Sequence, residues 1–434
     1  MLRLQFTRVA AGPPGGDLLT ASAVAAEAAE AAEAPAAALV RVEIVRDFKD
    51  AWIELVRLLH EAAEIEHALL VQYLFAAFSV RPKYARLRGD NFEFDAGNLM
   101  GVAIQEMTHL HQVNRFLVAV GAAPNLVRQD FPYEAAIYPF EFNLEPLSRE
   151  TVAKYVYTEA PANAVDPDDP GAEHPFVDDL IRTLGGLRPN HLGSLYGKVI
   201  EVTGEIVAKQ QAAGGSPDGE FGFLPDLREW PDTLLSIKQQ GEADHFDFFK
   251  SVFKAEHAAF GGNTNVWNDP DGPDYPSVRL PTNRSAYLGS ENQIEDEDTR
   301  QVAWLGNLHY WIMLVLLDLF YATLNLAADE PDTPPRNRRH YFERAKEHMM
   351  GPLWDLGLHL AALPRPAGLP FDPLSMGYYP GRSRRFTLLM LRNLILEAQA
   401  LTADLTARGL LPDSTSLTQT LQETLEALRT NGDL

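Results

Sequence analysis

The chain has 434 residues and a mass of 48.2 kDa, and 46% of its residues are hydrophobic, which excludes a wholly disordered protein. Lys and Arg number 37 and Asp and Glu number 60, so the formal net charge is −23. A negative field of this size repels phosphate backbones and anionic lipid head groups. Neither nucleic acid nor a membrane surface is therefore an expected partner.

The sequence contains no cysteine, so disulfides, thiolate metal sites and cysteine nucleophiles are excluded. Any bound metal must use histidine and carboxylate ligands. The first residues lead into a Pro/Gly-rich segment at 12–16 and lack the apolar region of an export signal. The most apolar stretch, 310–317, is shorter than the roughly 20 residues that span a membrane. These features predict a cytoplasmic protein.

The N-terminal part predicts a lead-in followed by two amphipathic helices. Residues 1–46 form the lead-in, and its Ala/Glu-rich part at 21–38 indicates a solvated helix or a loose segment. From Asp47 onward, apolar residues recur at helical spacing until Arg81 and Pro82. A second helix is predicted from Asn98 to Val120, where Gly121 follows as a typical helix stop.

The rest of the chain predicts helices separated by two long irregular segments. Residues 125–189 form a crossover with one possible helix at 148–158, and residues 261–298 form a second irregular connection. No alternating strand pattern of convincing length occurs. The sequence therefore predicts an all-α protein, with a four-helix bundle at 47–260 and C-terminal helices within 299–434 packed on it. The further predicted helices are 191–213, 231–259, 299–328, 335–363, 384–408 and 415–430.

Two Glu-x-x-His pairs lie on the second and fourth helices of the predicted bundle. They are Glu106 with His109 and Glu242 with His245. Residues three apart share a helix face, so each pair can bind one ion. Bundle di-metal sites combine two such pairs with one glutamate from each of the other two helices. Glu106 also lies in an apolar stripe, where an unpaired carboxylate would be costly to bury.

The first helix offers Glu64 and Glu66 as the additional glutamate. At 100° per residue their side chains point about 200° apart, so only one can face the bundle axis. Glu66 continues the apolar stripe that leads to Tyr73, whereas Glu64 does not. We therefore expect Glu66 to be the ligand, with His67 on the flank of the site.

The third helix offers Glu201 and Glu205, and the sequence leaves both open. The ligands on the first two helices are 40 residues apart. Choosing Glu201 gives a nearly equal span of 41 residues in the second hairpin, whereas Glu205 gives 37. The spans favour Glu201, although it shares its helix face with Lys198 and two glycines rather than with apolar residues.

Several of these segments resemble one known family. They include 66–74, the motif Gln105-Glu106-Met107-Thr108-His109 with the run to Pro124, the motif Gln240-Gly241-Glu242, and the later segments 351–353 and 363–371. Together they resemble the ferritin-like domain of iminophenyl-pyruvate dimer synthases and their uncharacterised relatives. The resemblance extends over most of residues 50–375.

The resemblance implies a ferritin-like bundle with a carboxylate/histidine metal site. In the best-known members it also implies oxidative coupling of amino-acid-derived imines during pigment biosynthesis. This chain departs from the family in two respects. A glutamate often precedes the aromatic residue of the third helix, where this chain has Ser194 and Leu195 before Tyr196, and the chain is much shorter than those synthases.

The predicted ligand set supplies four carboxylates and two imidazoles, which match the charge of two divalent ions. Such ligands suit iron or manganese, and zinc is an alternative. Tyr73 is the candidate catalytic residue, as a pocket wall or an electron donor, and core packing is the alternative. Gln105 and Asp244 are candidates to support the imidazoles. The predicted ligands are Glu66, Glu106, His109, Glu201, Glu242 and His245.

The leading interpretation is a non-haem di-iron oxidoreductase or oxygenase that acts on a small organic, amino-acid-derived molecule. The alternatives are a metal-handling or peroxide-detoxifying protein and a metal-free helical interaction protein. Haem bound through one histidine is a less favoured cofactor. We interpret His309, which lies in an apolar helix, as a core residue. The substrate, the electron donor and the oligomeric state stay open.

Overall fold

The computed structural model describes residues 44–90, 96–128, 141–186, 191–214, 216, 219–322, 339–374, 384–411 and 413–434. Within these ranges the regular elements are helices, and two isolated bridges are the only β pairings. The prediction of an all-α protein is confirmed. The predicted lead-in, up to residue 43, lies outside the described residues.

Four long helices form the bundle, and two shorter ones lie in the predicted crossover. The bounds are α1 Ala51–Ser79, α2 Leu99–Ala119, α3 Arg149–Glu159, α4 His174–Thr183 and α5 Leu192–Ala212; α6 consists of Trp230–Gln240 and Phe246–Phe253, joined by a π-helical turn at Gly241–His245. Helix α1 packs against α2 and α5, α5 packs against α6, and the crossover helix α3 lies against the C-terminal half of α6.

The starts of three helices follow from local sequence. Asp50, Asn98 and Ser148 precede α1, α2 and α3, and the side chain of each accepts a hydrogen bond from the backbone N–H three residues further on. Such caps satisfy an amide at the helix terminus that has no partner within the helix. These three polar residues therefore fix where α1, α2 and α3 begin.

The C-terminal helices share one hydrophobic core with the bundle. Residues 261–296 form turns, bends and isolated bridges, and four helical regions follow. The bounds are α7 Glu297–Ala322, α8 Arg339–His348 and Trp354–Ala361 with a π-helical turn at Met349–Leu353 between them, α9 Arg384–Ala407, and α10 Thr415–Thr430. Gly357 of α8 packs against α1 so closely that a Cβ there would lie 2.5 Å from the Phe78 ring.

Helix α7 is long and apolar enough to cross a membrane, but 89% of its most apolar window is buried inside the structure. Burial of this kind is typical of the central helix of a soluble protein, because the bundle and the other C-terminal helices replace the lipid. The observation agrees with the predicted helix at 299–328 and with the interpretation of His309 as a core residue within it.

The central position of α7 buries His309, whose Nδ1 lies 3.0 Å from Nδ1 of the buried His348 on α8. Burial lowers the pKa of His309 to about 3 and also lowers the pKa of His348. In the unfolded chain a histidine titrates at about 6.5. Between these values the unfolded chain binds the additional proton, so stability is lost as the pH falls from about 6.5 towards 3.

We therefore expect His309→Gln to reduce the acid sensitivity of the fold. A histidine that stays neutral when folded makes the free energy of unfolding about 2 kcal/mol lower at pH 5 than at pH 7. In urea denaturation, the decrease in the free energy of unfolding from pH 7 to pH 5 should be about 2 kcal/mol smaller in the variant than in the wild-type protein. An unchanged difference between the two pH values would contradict the assignment.

Candidate metal centre

Three carboxylates and two imidazoles from four helices converge inside the bundle. Among the described residues, two groups have ligand atoms close enough together to hold a metal ion. Glu66, Glu106 and His109 form one group, and Glu106, Glu159 and His245 form the other. All five side chains are buried. Glu106 belongs to both groups, so it joins two half-sites.

The two half-sites have the same construction. In the first, His109 Nδ1 lies 3.1 Å from Oε2 of Glu106 and 3.6 Å from Oε2 of Glu66. In the second, His245 Nδ1 lies 2.9 Å from Oε1 of Glu106 and 3.5 Å from Oε2 of Glu159. Each imidazole thus faces one oxygen of the shared carboxylate and one oxygen of its own glutamate.

Two tyrosines hold the outer carboxylates in these positions. The Tyr196 hydroxyl of α5 donates a hydrogen bond to Oε1 of Glu66, and the Tyr73 hydroxyl of α1 donates one to Oε1 of Glu159. Both phenols are buried, and burial raises their pKa well above the ordinary value. The tyrosines therefore remain donors and leave Oε2 of each carboxylate directed at the imidazoles.

Two glutamines set the proton position on the imidazoles. His109 Nε2 lies 2.8 Å from Oε1 of Gln240, and His245 Nε2 lies 2.7 Å from Oε1 of Gln105. An amide oxygen only accepts hydrogen bonds, so Nε2 of each ring donates its proton. In a neutral imidazole this leaves the lone pair on Nδ1, the atom that faces the carboxylates, which is the usual way in which protein groups orient a metal-binding histidine.

The polar atoms at the middle of the cluster lack hydrogen-bond partners. They are Glu66 Oε2, Glu106 Oε1, Glu159 Oε2 and His245 Nδ1. Buried polar atoms are normally paired, so four orphans in one place require an explanation. Carboxylate oxygens and imidazole nitrogens at this spacing are a suitable donor set for divalent cations. The residues present therefore fit a metal centre.

The electrostatics of the cluster also require positive charge. Burial and the Glu106 carboxylate raise the pKa of Glu66 to about 8. Burial opposes ionisation of Glu106 as well, but His245 and His109 outweigh it and hold that pKa well below the usual range. Burial lowers the pKa of His245, whereas Glu106 and Glu159 raise it, to a net value of about 9. Three carboxylates in one dry site need positive charge beside them, which the two imidazoles supply by binding protons and which divalent cations would supply in their place.

Glu159 is the member of the cluster that sequence reasoning missed. It is the last residue of the crossover helix α3, which carries no Glu-x-x-His pair. A signal is nevertheless present, because Glu159 extends the buried stripe of Val152, Tyr155 and Val156 at helical spacing. A carboxylate on such a stripe has the same cost of burial that identified Glu106.

Glu242 was expected to bind metal with His245, but the structure does not place it in the cluster. Both residues lie in the π-helical turn of α6, which is wider than an α-helical turn. Residues three apart in it no longer share a face. His245 points inward, whereas Glu242 forms an ion pair with Lys238, with Oε2 at 2.7 Å from Nζ. Asp244, expected to support an imidazole, is exposed.

The two candidates on the third helix also lie outside the cluster. Glu201 pairs with Lys198 at 2.9 Å and its side chain is 64% exposed. Glu205 pairs with Arg46 at 2.6 Å, and its side chain is 33% exposed. The preference for Glu201, which rested on the nearly equal separations of 40 and 41 residues, is corrected by these positions. A separation along the sequence does not indicate which face of α5 is buried. That face presents Tyr196 to the centre.

A small cavity reaches the cluster from the side of α5 and α6. Its walls include His109, Glu159, Tyr196, Lys238 and Glu242. Its volume of about 10 Å³ is close to the minimum for one water molecule. The Lys238–Glu242 ion pair therefore lies beside an opening that leads to the ligand atoms.

Gly241, at the start of the π-helical turn, makes room for Glu159. A Cβ on Gly241 would lie 2.8 Å from Glu159 Oε2, closer than side chains normally approach. We expect Gly241→Ala to displace this carboxylate and to lower the metal content measured by plasma mass spectrometry by about one ion per chain. Gly204→Ala on α5 is the matched control, because its Cβ would meet no atom within 4 Å. Equal metal content in both variants would contradict this role.

Comparison with known proteins agrees with this architecture. The family model described as "Ferritin-like" matches residues 59–254, which include every residue of both half-sites. The chain is 27% identical over 320 residues to dichlorochromopyrrolate synthase of Lentzea aerocolonigenes, a match that covers 61% of this chain and 30% of that protein. No solved structure gives a significant match.

A second relative is 2-imino-3-(indol-3-yl)propanoate dimerase of Chromobacterium violaceum. It is 32% identical over 128 residues, which are 24% of this chain and 13% of the dimerase. The matches thus span less than a third of the length of either relative. The resemblance inferred from the sequence is confirmed, and residues 59–254 of the chain form a ferritin-like domain.

Proposed function

We propose that the chain is a non-haem, di-iron oxidoreductase that acts on a small, amino-acid-derived imine. The observation that supports this proposal most directly is the pair of half-sites sharing Glu106, with four buried ligand atoms that have no hydrogen-bond partner. Glu66 and His109 would hold one ion, and Glu159 and His245 the other, with Glu106 between them. The three carboxylates offset most of the charge of two divalent ions.

The name of one relative supports the substrate class. It describes dimerisation of 2-imino-3-(indol-3-yl)propanoate, an amino-acid-derived imine that carries a carboxylate. In an oxidative coupling, two substrate C–H bonds are replaced by one C–C bond, and two electrons and two protons pass to O₂, which gives H₂O₂. Two bound iron ions would supply the redox capacity for this exchange.

The protein's own residues would orient and protect the centre. Tyr73 and Tyr196 hold the outer carboxylates, and Gln105 and Gln240 hold the imidazoles, so the ligands are positioned before metal arrives. We assign Tyr73 this positioning role in place of the electron transfer considered from the sequence. The surrounding apolar helices exclude water, which strengthens every charge interaction inside.

The proposal is tested by metal content followed by O₂ consumption. Protein purified from iron-supplemented cells should contain about two iron ions per chain. When indole-pyruvate imine is generated in situ from tryptophan by an amino-acid oxidase with catalase present, the Fe(II) form should raise O₂ consumption above that of the oxidase and catalase alone. Coupled product detected by mass spectrometry is expected. Iron without any substrate-dependent O₂ consumption would contradict the oxidoreductase assignment.

A metal-handling or peroxide-consuming protein is the second candidate, and the small size of the cavity favours it. About 10 Å³ is room for one water molecule at most and excludes an indole ring unless the entrance opens. The same volume argues against a haem beside His109. Rapid peroxide consumption by the iron form, with no effect of added imine, would support this second function.

Lys238 is expected to bind the substrate carboxylate. It lines the cavity, and its Nζ contacts both oxygens of Glu242, at 2.8 and 2.7 Å, so an incoming carboxylate can take the place of Glu242. Loss of a charge-assisted hydrogen bond costs about 1.5–3 kcal/mol, so Lys238→Met should raise KM by about 10- to 100-fold. Metal content should not change. Lys198→Met, which removes a similar ion pair on the exposed face of α5, should leave KM unchanged.

A further inference from the structure

One side of α9 is packed and the opposite side is unusually apolar. Residues such as Leu388, Leu391, Leu394 and Ile395 are buried. On the other side, Phe386 is 64% exposed, Leu389 47% and Leu396 40%. An exposed apolar row on a helix that already has a buried face indicates a contact with another molecule.

The exposed row follows the spacing of a coiled-coil seam. Its members are separated by alternating steps of three and four residues, which corresponds to positions a and d of successive heptads. The row contains one polar residue, Asn393, at an a position, where asparagine typically fixes register and the number of chains. In order, the row is Phe386, Leu389, Asn393, Leu396, Ala400 and Ala403, and all six are exposed.

We propose that this row is the seam of a parallel two-stranded coiled coil between α9 and the same helix of a second copy of this chain. The residues flanking the row support a second copy as the occupant. Position g is basic at Arg385 and Arg392, and position e is acidic at Glu397 and Asp404. In a parallel pair, g of one chain meets e of the next heptad in the other chain, so Arg392 meets Glu397 of the other copy.

An antiparallel pair would instead bring g against g and e against e, which places like charges together. Arg392 and Glu397 make no ion pair with any residue in the described ranges, so both are available for the contact. The charge pattern therefore selects both the partner and its direction.

Analytical ultracentrifugation of the full chain tests the association. We expect a dimer of twice 48.2 kDa at micromolar concentration. The double variant Leu389→Glu/Leu396→Glu should be monomeric with unchanged metal content and helicity. Arg392→Glu should weaken the dimer by about tenfold, and adding Glu397→Arg in the same chain should restore it, because the charges are then complementary again. A monomeric wild-type chain at 100 µM would overturn the proposal.

Disulfide trapping tests the direction, because the chain has no native cysteine to interfere. In the parallel arrangement each seam residue meets its own copy, so Phe386→Cys and Ala403→Cys should each form a covalent dimer on mild oxidation. Glu426→Cys, an exposed position on α10, is the control and should stay monomeric. Failure of both end positions in a chain that nevertheless dimerises would overturn the parallel arrangement.

Discussion

Glu106→Ala is expected to remove all bound metal from the protein. Glu106 gives one oxygen to each half-site, with Oε2 at 3.1 Å from His109 Nδ1 and Oε1 at 2.9 Å from His245 Nδ1. No other described carboxylate contacts both imidazoles. Its loss therefore disrupts both sites, whereas loss of an outer ligand affects one.

Metal content and metal-dependent stability measure this effect. A metal present at 100 times its dissociation constant stabilises the wild-type fold by about 2.7 kcal/mol, and Glu106→Ala should show no such gain. Glu106→Gln, which preserves the shape and removes the charge, should also lose metal if charge is the cause. Glu201→Ala is the control, because its ion pair lies on the surface, and it should bind metal normally. Normal metal content in Glu106→Ala would refute the proposed centre.

Glu159→Ala is expected to lower the metal content from about two ions per chain to about one. Its Oε2 lies 3.5 Å from His245 Nδ1, so only the second half-site loses a ligand. The Glu66 half-site keeps its own carboxylate, its histidine and the shared Glu106. Catalytic activity should fall with the second ion, since the proposed reaction uses both.

Glu242→Ala is the matched comparison, because Glu242 is the residue that the Glu-x-x-His pattern predicts. Its side chain pairs with Lys238 in the structure, so its loss should leave metal content unchanged. The opposite result, with Glu159 dispensable and Glu242 essential, would mean that the π-helical turn rearranges when metal binds. Plasma mass spectrometry of the two variants therefore decides which carboxylate completes the second half-site.

The comparison of Glu106 with Glu242 shows what a sequence motif can predict. Both residues stand three before a histidine, and both pairs predict a metal-binding face. The first pair lies in a regular α-helix, and its two side chains converge. The second pair lies in a π-helical turn, which separates them. The motif predicts that both side chains lie on one metal-binding face only where the helix is a regular α-helix. The local sequence of the Gly241–His245 segment did not indicate a π-helical turn.

By itself the sequence determined the helical class, the start of the principal helices and the face of α1 and α2 that carries Glu66, Glu106 and His109. Periodicity, capping residues and the cost of burying a carboxylate are local properties, so they can be evaluated from one chain segment at a time. Only the tertiary structure decided that α3, a helix within the crossover, supplies Glu159 and that α5 supplies Tyr196 rather than Glu201. Which helix reaches the centre depends on how separate segments pack together, and that contact between distant parts of the chain has no signature within either segment.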